Sequence, residues 1–407
     1  MNLFRSQPVF DLSAVQTALH RFGLEGWLLA EFRGSNVPAR RVLGLDGKGL
    51  TSRRLFYFIP AEGAPRKLVH RIEPGVLDEL PGEKVVYLRW QELESGIAWL
   101  LSGATRVAME YSPRNAIPYV SKVDAGTMEI VRALGAEVVS SGDLIQLFEA
   151  TWDDDQWRMH REAEVITTSA YDMAWNLIAD KTRGGGTIGE AEVQAAIVEY
   201  FHQHGATTDH GPIVGVGPHS GDPHYAPDPA NDTAIKLGDF VLIDLWAKMN
   251  KPRSVYSDLT RVGFVGSEVP KKYQDIFDIV ARARDAAIAT VKEAYAANRP
   301  LHGWEVDDAC RFVIDQAGYG PYFVHRTGHS IGQEVHGNGA NMDNLETHDE
   351  RLILPRTCFS VEPGIYQADF GVRSEINVFV DENSQVHVTG GLQTKVVPIL
   401  GPREARV

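Results

Sequence analysis

Residues 239–265 read DFVLIDLWAKMNKPRSVYSDLTRVGFV, two apolar runs that each contain an acid where a hydrophobic residue belongs. Asp244 lies between Ile243 and Leu245, and Asp258 lies in the second run. A strand that is apolar on both faces is usually central and covered on both sides. Because an ionised carboxylate is costly there unless it is paired, hydrogen-bonded or bound to a cation, the stretch predicts two central strands that carry functional acids.

Two later strand-like runs repeat this anomaly. Glu362 lies in CFSVEPGIY (358–366) and Glu375 in GVRSEINVFV (371–380). A strand-end position or a salt bridge to a nearby arginine would explain any one of the four acids separately. If they converge, like-charge repulsion would force several to protonate unless cations are present. Two divalent cations would balance four carboxylates, and oxygen ligands with one imidazole suit Mn, Co, Fe or Zn.

A candidate imidazole lies in FVHRTGHSIGQEVHG (323–337), which holds His325, His329 and His336. Intervals of four and seven could describe one helix face. Glycines at 328 and 332 oppose a helix, since each weakens a helix interior by about 1 kcal/mol relative to alanine. We therefore predict a strand–loop–strand segment whose histidines converge through tertiary folding. Ordinary surface or hydrogen-bonded histidines are the alternative.

Composition and charge narrow the class of protein. The 407 residues include 43% hydrophobic and 23% charged residues, which is typical of a globular protein with large cores. The formal charge of −14 argues against a nucleic-acid or anionic-membrane surface. The two cysteines, Cys310 and Cys358, exclude a disulfide scaffold and are predicted to be core residues. Without a signal-like or membrane-length apolar run, the expected location is cytoplasmic.

The order of predicted elements indicates two domains, 1–150 and 151–407. Residues 11–30 predict a capped helix and a strand, and RLFYFIP, KVVYL, RVAMEY and AEVVSSG predict further strands of a mixed sheet. A long charged helix from Asp153 begins the second domain. There a shift of 113 residues superposes six identical residues, among them Gly205 on Gly318. This faint repeat predicts two αβ halves related by a pseudo-twofold axis, with a site where they meet.

The five candidate ligands also resemble a known signature. Asp244, Asp258 in SDLTR, His329 in GHSIG, Glu362 in VEPGIY and Glu375 in VRSE follow the order of the pita-bread metallopeptidases. The resemblance covers about residues 155 to 400, and the preceding domain is similar to the creatinase-type N-terminal domain of the aminopeptidase P and prolidase branch. It implies an α+β architecture, with a C-terminal pita-bread domain of pseudo-twofold αβ halves preceded by a smaller α/β domain.

The resemblance also implies roles for individual residues. Asp258 and Glu375 would bridge two divalent metals, manganese first and Co, Zn or Fe as alternatives. Asp244 would complete one metal, and His329 with Glu362 the other. A metal-bridged hydroxide would be the nucleophile and Glu362 the proton shuttle. The resemblance also implies catalytic roles for His224 and His336. It implies that His325 and Arg373 bind the substrate.

This sequence departs from the family pattern beside Asp244. The surplus residues NKPRSVY are expected to lengthen a hairpin, and Trp246 stands where a glycine or an acid is common. Neither change removes a ligand. The expected function is therefore cleavage of the bond before proline, by an Xaa-Pro dipeptidase rather than an Xaa-Pro aminopeptidase if Arg373 and His325 close the far end of the cleft. A homodimer is expected. The alternatives are a lyase, a creatinase-like C–N hydrolase or a non-catalytic binding module.

Overall fold

The computed structural model of the protein describes residues 10–45, 49 and 51–402. It contains 35% helix and 22% strand, which agrees with the predicted α+β class. The chain divides into two units, Met1–Glu149 and Ala150–Val407. The outer ends of the two predicted domain ranges, residues 1–9 and 403–407, lie outside the described residues.

The first unit is built on one six-stranded sheet of order β4-β3-β2-β1-β5-β6. Its strands are β1 (Gly26–Glu31), β2 (Leu55–Pro60), β3 (Arg66–His70), β4 (Glu83–Tyr87), β5 (Arg106–Met109) and β6 (Glu137–Ser140). Its helices are α1 (Leu12–Arg21), α2 (Val37–Val42), α3 (Trp90–Leu100), α4 (Ala125–Ala133) and α5 (Gly142–Glu149). The sheet is mixed, as predicted, because β1 pairs antiparallel with β2 and parallel with β5. Asp11 caps α1 by accepting the N–H of Ala14 at 3.0 Å. The prediction missed β3.

The second unit contains four helices and thirteen strands among the described residues. The helices are α6 (Asp154–Thr182), α7 (Glu190–Gln203), α8 (Lys271–Ala296) and α9 (Gly303–Gln316). The strands are β7 (Ile188–Gly189), β8 (Ala206–Thr207), β9 (Ile213–Val216), β10 (Ala234–Ile235), β11 (Phe240–Met249), β12 (Ser257–Phe264), β13 (Ser330–Ile331), β14 (Cys358–Val361), β15 (Gly364–Tyr366), β16 (Gly371–Arg373), β17 (Ile376–Val380), β18 (Val386–Thr389) and β19 (Val397–Pro398).

The predicted internal repeat is visible in the helices of this unit. A shift of 113 residues carries α7 onto α9, and each of the two helices follows a much longer one. Gly205 and Gly318 occupy the equivalent position just beyond the two helices, with φ of +75° and +84°. Glycine ends helices in this left-handed conformation without a Cβ penalty. The repeat therefore reflects two helix pairs that end in the same way.

Strand β11 is the central strand of the first half. It pairs antiparallel with β12 on one side and with β8 and β9 on the other. Helix α6 packs against β11 and β12. The loop between β11 and β12 comprises residues 250–256, the predicted NKPRSVY extension. Strand β11 is therefore paired along both edges, as its apolar sequence predicts.

The sheet of the second half runs in the order β13-β14-β17-β18, and the Asn377 side chain joins it to β12. Asn377, on β17, accepts the backbone N–H of Asp258 at 3.0 Å and donates to the Asp258 carbonyl at 2.6 Å. Asn377 is fully buried. Its amide thus takes the place of a strand partner and fixes the position of Asp258 between the two sheets.

Both cysteines are free and buried, as predicted, Cys310 on α9 and Cys358 on β14. Across the described residues, no helix combines the length and the apolarity that a membrane crossing requires.

Candidate metal centre

One cavity of the second unit, of about 820 Å³, contains every residue that the sequence singled out as functional. Its lining includes the five predicted ligands and the four other predicted site residues: Asp244, Asp258, His329, Glu362, Glu375, His224, His325, His336 and Arg373. Positions more than 130 residues apart in the sequence therefore converge on one space.

The β11–β12 register sets the first two acids side by side. Asp244 is opposite Thr260, and Asp258 is opposite Trp246. Since side chains two residues apart on a strand share a face, both carboxylates point to the same side of the sheet. Asp244 and Asp258 are 8% and 4% exposed. The strand pairing alone thus places two carboxyl groups side by side on a buried surface.

Thr260 connects this surface to the second half of the repeat. Its hydroxyl donates to Glu375 Oε2 at 2.8 Å and accepts from Arg373 Nε at 3.0 Å. The other oxygen of Glu375, Oε1, is buried without a hydrogen-bond partner, and so is Asp244 Oδ1. Unpartnered buried carboxylate oxygens are costly, and they are the donor atoms that a hard cation requires.

The orientation of the His329 ring is fixed by a hydrogen bond at Nδ1. Nδ1 lies 3.1 Å from the backbone carbonyl of Ser330, which can only accept, so Nδ1 carries the proton. The lone pair of Nε2 then faces Glu362 Oε1 at 3.3 Å and Asp258 Oδ2 at 3.4 Å. A lone pair held against two carboxylates is repulsive unless a proton or a cation lies between them. A backbone hydrogen bond at the far nitrogen is the usual arrangement of metal-binding histidines.

Burial and mutual repulsion alter the titration of these acids. Burial raises the pKa of Asp244 to about 7, with Arg373 opposing the rise and Asp258 and Glu362 adding to it. The pKa values of Asp258 and Glu375 are also raised well above the ordinary range, first by burial and then by neighbouring carboxylates. Without cations, Asp258 and Glu375 would therefore hold protons at neutral pH, and Asp244 would be partly protonated. Donor atoms of Asp258, His329 and Glu375 all lie within 4.8 Å of one another, so the residues present fit a bound cation.

Glu362 differs from the other acids. Burial raises its pKa, but His329, His325 and Arg373 together with the Ser360 hydroxyl outweigh that effect and lower it. Ser360 Oγ donates to Glu362 Oε1 at 2.9 Å and accepts the His329 backbone N–H at 2.9 Å. Among the four acids proposed as ligands, Glu362 is thus the one whose ionised form is favoured, and Ser360 on β14 holds it in place.

A chain of hydrogen bonds connects Asp244 to His325 through Arg373 and Tyr366. Arg373 donates to Asp244 Oδ2 through Nη2 and to the Tyr366 hydroxyl through Nη1 at 3.1 Å. Tyr366 lies 2.6 Å from His325 Nε2, and His325 Nδ1 lies 2.6 Å from the Arg326 carbonyl. Because Nδ1 must donate, Tyr366 donates to Nε2. Arg373 therefore contacts a predicted ligand, and its contact with substrate stays a prediction.

The two predicted catalytic histidines have exposed side chains at the cavity wall. The His336 ring lies edge-on to the His329 ring, with centroids 4.2 Å apart. His224 lies in the connection between β9 and β10, and its backbone N–H donates to Asp222 at 3.0 Å. Both histidines can reach a ligand in the cavity, whereas His348 is exposed and does not line it.

Sequence reasoning missed several residues that build the site. Asn377 follows Glu375 by two positions, and a polar residue at that spacing in a buried strand was a usable signal. Asp307, on α9, binds Arg311 through both oxygens and accepts the Thr327 N–H at 2.9 Å. Nothing in the local sequence marks that pair, since helical Asp–Arg pairs at this spacing are common on surfaces. Asp209 and His210 also line the cavity, although His210 was assigned no role in the sequence analysis.

Known proteins are similar to this chain in sequence and in fold. The model of metallopeptidase family M24 matches residues 158–382, more than half of the chain. The probable dipeptidase PepE of Mycobacterium bovis is 28% identical over 339 residues, covering 81% of this chain and 82% of the relative. The Xaa-Pro dipeptidase of Pyrococcus furiosus is 33% identical over 202 residues, covering 49% of this chain and 53% of the relative.

A solved structure extends the similarity over nearly the whole chain. The crystal structure of dipeptidase PepE from Mycobacterium ulcerans superposes with a TM-score of 0.64 at 25% identity, covering 95% of this chain and 96% of the other. Structural neighbours of this kind have the pita-bread fold, which confirms the predicted fold class. Members of the family generally depend on two metal ions. The chain belongs to metallopeptidase family M24 and is a metallopeptidase.

Proposed function

We propose that the protein is an Xaa-Pro dipeptidase that uses two divalent metal ions, manganese first, to hydrolyse the bond preceding proline. The observation that carries this proposal is the set of five donors in one cavity, with Asp244 Oδ1 and Glu375 Oε1 buried and unpartnered. The names of the relatives, a probable dipeptidase and an Xaa-Pro dipeptidase, support the substrate class.

The proposed ligands are Asp244, Asp258, His329, Glu362 and Glu375. Bound there, a pair of divalent cations would polarise the scissile carbonyl and make water nucleophilic at neutral pH. The lone pair of His329 and the raised pKa values of Asp244, Asp258 and Glu375 support this assignment, because cations would replace the protons that these acids otherwise hold.

The protein's own groups would move the protons. Glu362 is ionised and fixed by Ser360, so it can take a proton from the attacking water and deliver it to the leaving nitrogen. The nitrogen must gain this proton as the C–N bond breaks, and in an Xaa-Pro bond it then leaves as the secondary amine of proline. His336 and His224 would donate to the carbonyl oxygen as negative charge develops on it.

The far end of the cavity supports a dipeptide. Both ring nitrogens of His325 are engaged by Tyr366 and the Arg326 carbonyl, so the imidazole offers its face for packing against a pyrrolidine ring. The Arg326 side chain lines the same cavity and supplies a cation for a terminal carboxylate. A substrate that ends at proline would satisfy both groups.

The test is a comparison of peptides of two lengths. Purified protein loaded separately with Mn, Co and Zn should cleave Xaa-Pro dipeptides with a higher kcat/KM than the matching Xaa-Pro-Xaa tripeptides. A higher value for the tripeptides would identify an Xaa-Pro aminopeptidase. Cleavage of dipeptides without proline but not of Xaa-Pro would contradict the proposed specificity.

A further inference from the structure

We propose that Trp246 and Asp209 form the wall that selects the N-terminal side chain of the substrate, and that this wall favours lysine or arginine. The inference rests on the proposed dipeptidase function and assigns the specificity of that same cavity. It starts from a contact that the sequence did not predict. Trp246 Nε1 donates a hydrogen bond to Asp209 Oδ1 at 2.8 Å, and both residues line the cavity.

The position of Trp246 places it beside the metal centre. It lies two residues beyond Asp244 on β11, on the same strand face, and directly opposite Asp258. Part of its side chain packs against the apolar cluster that contains Val255 and Tyr256. One part of the indole therefore packs against this cluster, while another part borders the cavity.

The indole in turn orients the carboxylate of Asp209. Asp209 lies in the short connection between β8 and β9, and 42% of its side chain remains exposed. Oδ1 accepts the Trp246 Nε1–H and the His210 backbone N–H at 3.0 Å, and Oδ2 lies 3.4 Å from Nδ1 of the exposed His210 ring. Oδ2 is thus reachable by a cationic group that enters the cavity.

The distribution of charge orients a dipeptide across the cavity. Two divalent ions would balance Asp244, Asp258, Glu362 and Glu375. Of the other charged residues lining the cavity, the first half contributes the acids Asp209 and Asp222, whereas the second half contributes Glu334 and Glu346 together with the cations Arg326 and Arg373. An N-terminal ammonium is attracted to the acids and a C-terminal carboxylate to Arg326. The N-terminal residue of the substrate therefore lies on the side of Trp246 and Asp209.

This wall suits a long cationic side chain. The indole face attracts a cation, and Asp209 can pair with the same ammonium or guanidinium group. Asp209 and Asp222 are the acids on this side of the cavity that the two divalent ions would not balance. An acidic N-terminal side chain would meet that charge and be repelled.

The experiment compares three dipeptides on the manganese-loaded protein: Lys-Pro, norleucine-Pro and Glu-Pro. Norleucine keeps the four-carbon chain of lysine and lacks the charge. We expect kcat/KM for Lys-Pro to exceed that for norleucine-Pro by about tenfold, the size expected for a partly exposed cation–π contact joined by an ion pair. Glu-Pro should be cleaved most slowly. Equal values for Lys-Pro and norleucine-Pro would overturn the inference, while the absence of cleavage of all three would overturn the proposed function instead.

Two variants test the residues themselves. Asp209→Asn keeps an acceptor for the indole and removes the charge, so the ratio of Lys-Pro to norleucine-Pro should fall to about threefold or less, mainly through KM. Trp246→Phe keeps a ring but frees Asp209, and should lower the same ratio. Asp228→Asn, an exposed acid outside the cavity lining, is the matched control and should leave the ratio unchanged. A wild-type ratio in Asp209→Asn at equal metal content would contradict the inference.

Discussion

His336 is the cavity residue whose removal best separates catalysis from metal binding. Its ring lies edge-on to that of His329, with centroids 4.2 Å apart, and it is not among the five proposed ligands. His336→Ala should therefore keep the metal content and lower kcat by about 10²–10³, the usual loss for one donor to a developing oxyanion. Metal analysis and steady-state kinetics on the same sample provide the check. His348→Ala, at an exposed site outside the cavity, should change neither value. Loss of metal in His336→Ala would assign the histidine to the ligand set.

His160 predicts how stability depends on pH. It is fully buried on α6, between the carbonyl of Tyr256 and the hydroxyl of Thr389, each 2.8 Å away. Burial lowers its pKa from 6.5 to about 4. The folded state thus resists protonation, so the stability that the neutral ring provides is complete above pH 6.5 and is lost as pH falls towards 4.

The expected loss from His160 between pH 7.5 and pH 5 is about 2 kcal/mol, from the proton linkage of one group. Chemical unfolding of the second unit in the presence of a chelator measures this loss of stability in the wild type and in His160→Asn. The variant should be less stable at pH 7.5 and should lose about 2 kcal/mol less on acidification. Equal losses in the two proteins would show that the ring does not resist protonation.

For individual residues, the sequence indicated the acids of the site better than the residues that hold them in place. An acid inside a run such as VLIDLWA is costly enough to be noticed without a structure, so Asp244 and its three counterparts could be identified. Asn377 and Asp307 act through contacts 119 and 20 positions away, with Asp258 and Thr327. Those contacts exist only once the halves are folded together.

The position of the segment that precedes β13 depends on the close approach of its backbone to strand β14. A Cβ on Gly328 would overlap the backbone carbonyl of Ser360 on β14, whereas the nearest atom to a Cβ on Gly332 is 3.9 Å away. Gly328→Ala should displace His329 and destabilise the second unit by about 3 kcal/mol, as overpacking does in a buried site. Gly332→Ala is the control in the same GHSIG motif and should be nearly neutral. Thermal unfolding and metal titration measure both effects, and equal behaviour of the two variants would contradict the packing argument.

The contact of Asn377 with Asp258, between β17 and β12, predicts the effect of a second substitution. Asn377→Ala leaves the backbone N–H and carbonyl of Asp258 buried without partners. We expect a loss of about 3 kcal/mol in the free energy of unfolding, together with weaker metal binding because Asp258 is no longer held. Chemical unfolding with and without metal measures both. Unchanged stability would mean that the two sheets meet through other contacts.

Periodicity predicted the long elements and failed for the short ones. Helix α6 and strand β11 contain enough residues for their patterns to be read, and both lie where they were predicted. The predicted strand–loop–strand over 323–337 contains only the two-residue strand β13, and the rest is irregular. Pairing with β14, together with hydrogen bonds to Asp307 and Ser360, determines the conformation of that segment. No local pattern could reveal those contacts.

For the molecule as a whole, family membership follows from the ligand order and the repeat taken together. The repeat supplies two αβ halves, and each half contributes two of the four acids, so the cavity forms where the halves meet. The N-terminal domain as a creatinase-type domain, the homodimer and the cytoplasmic location stay predictions. They depend on surfaces and on cellular context that neither periodicity nor the metal site specifies.

The proposed metal centre consists of four carboxylates and one imidazole around two divalent ions. Anomalous diffraction from crystals grown with excess manganese tests it most directly. We expect two manganese peaks within coordination distance of Asp258 and Glu375, one also reached by Asp244 and the other by His329 and Glu362. A single peak in wild type, or no manganese peak among these five side chains, would contradict the account.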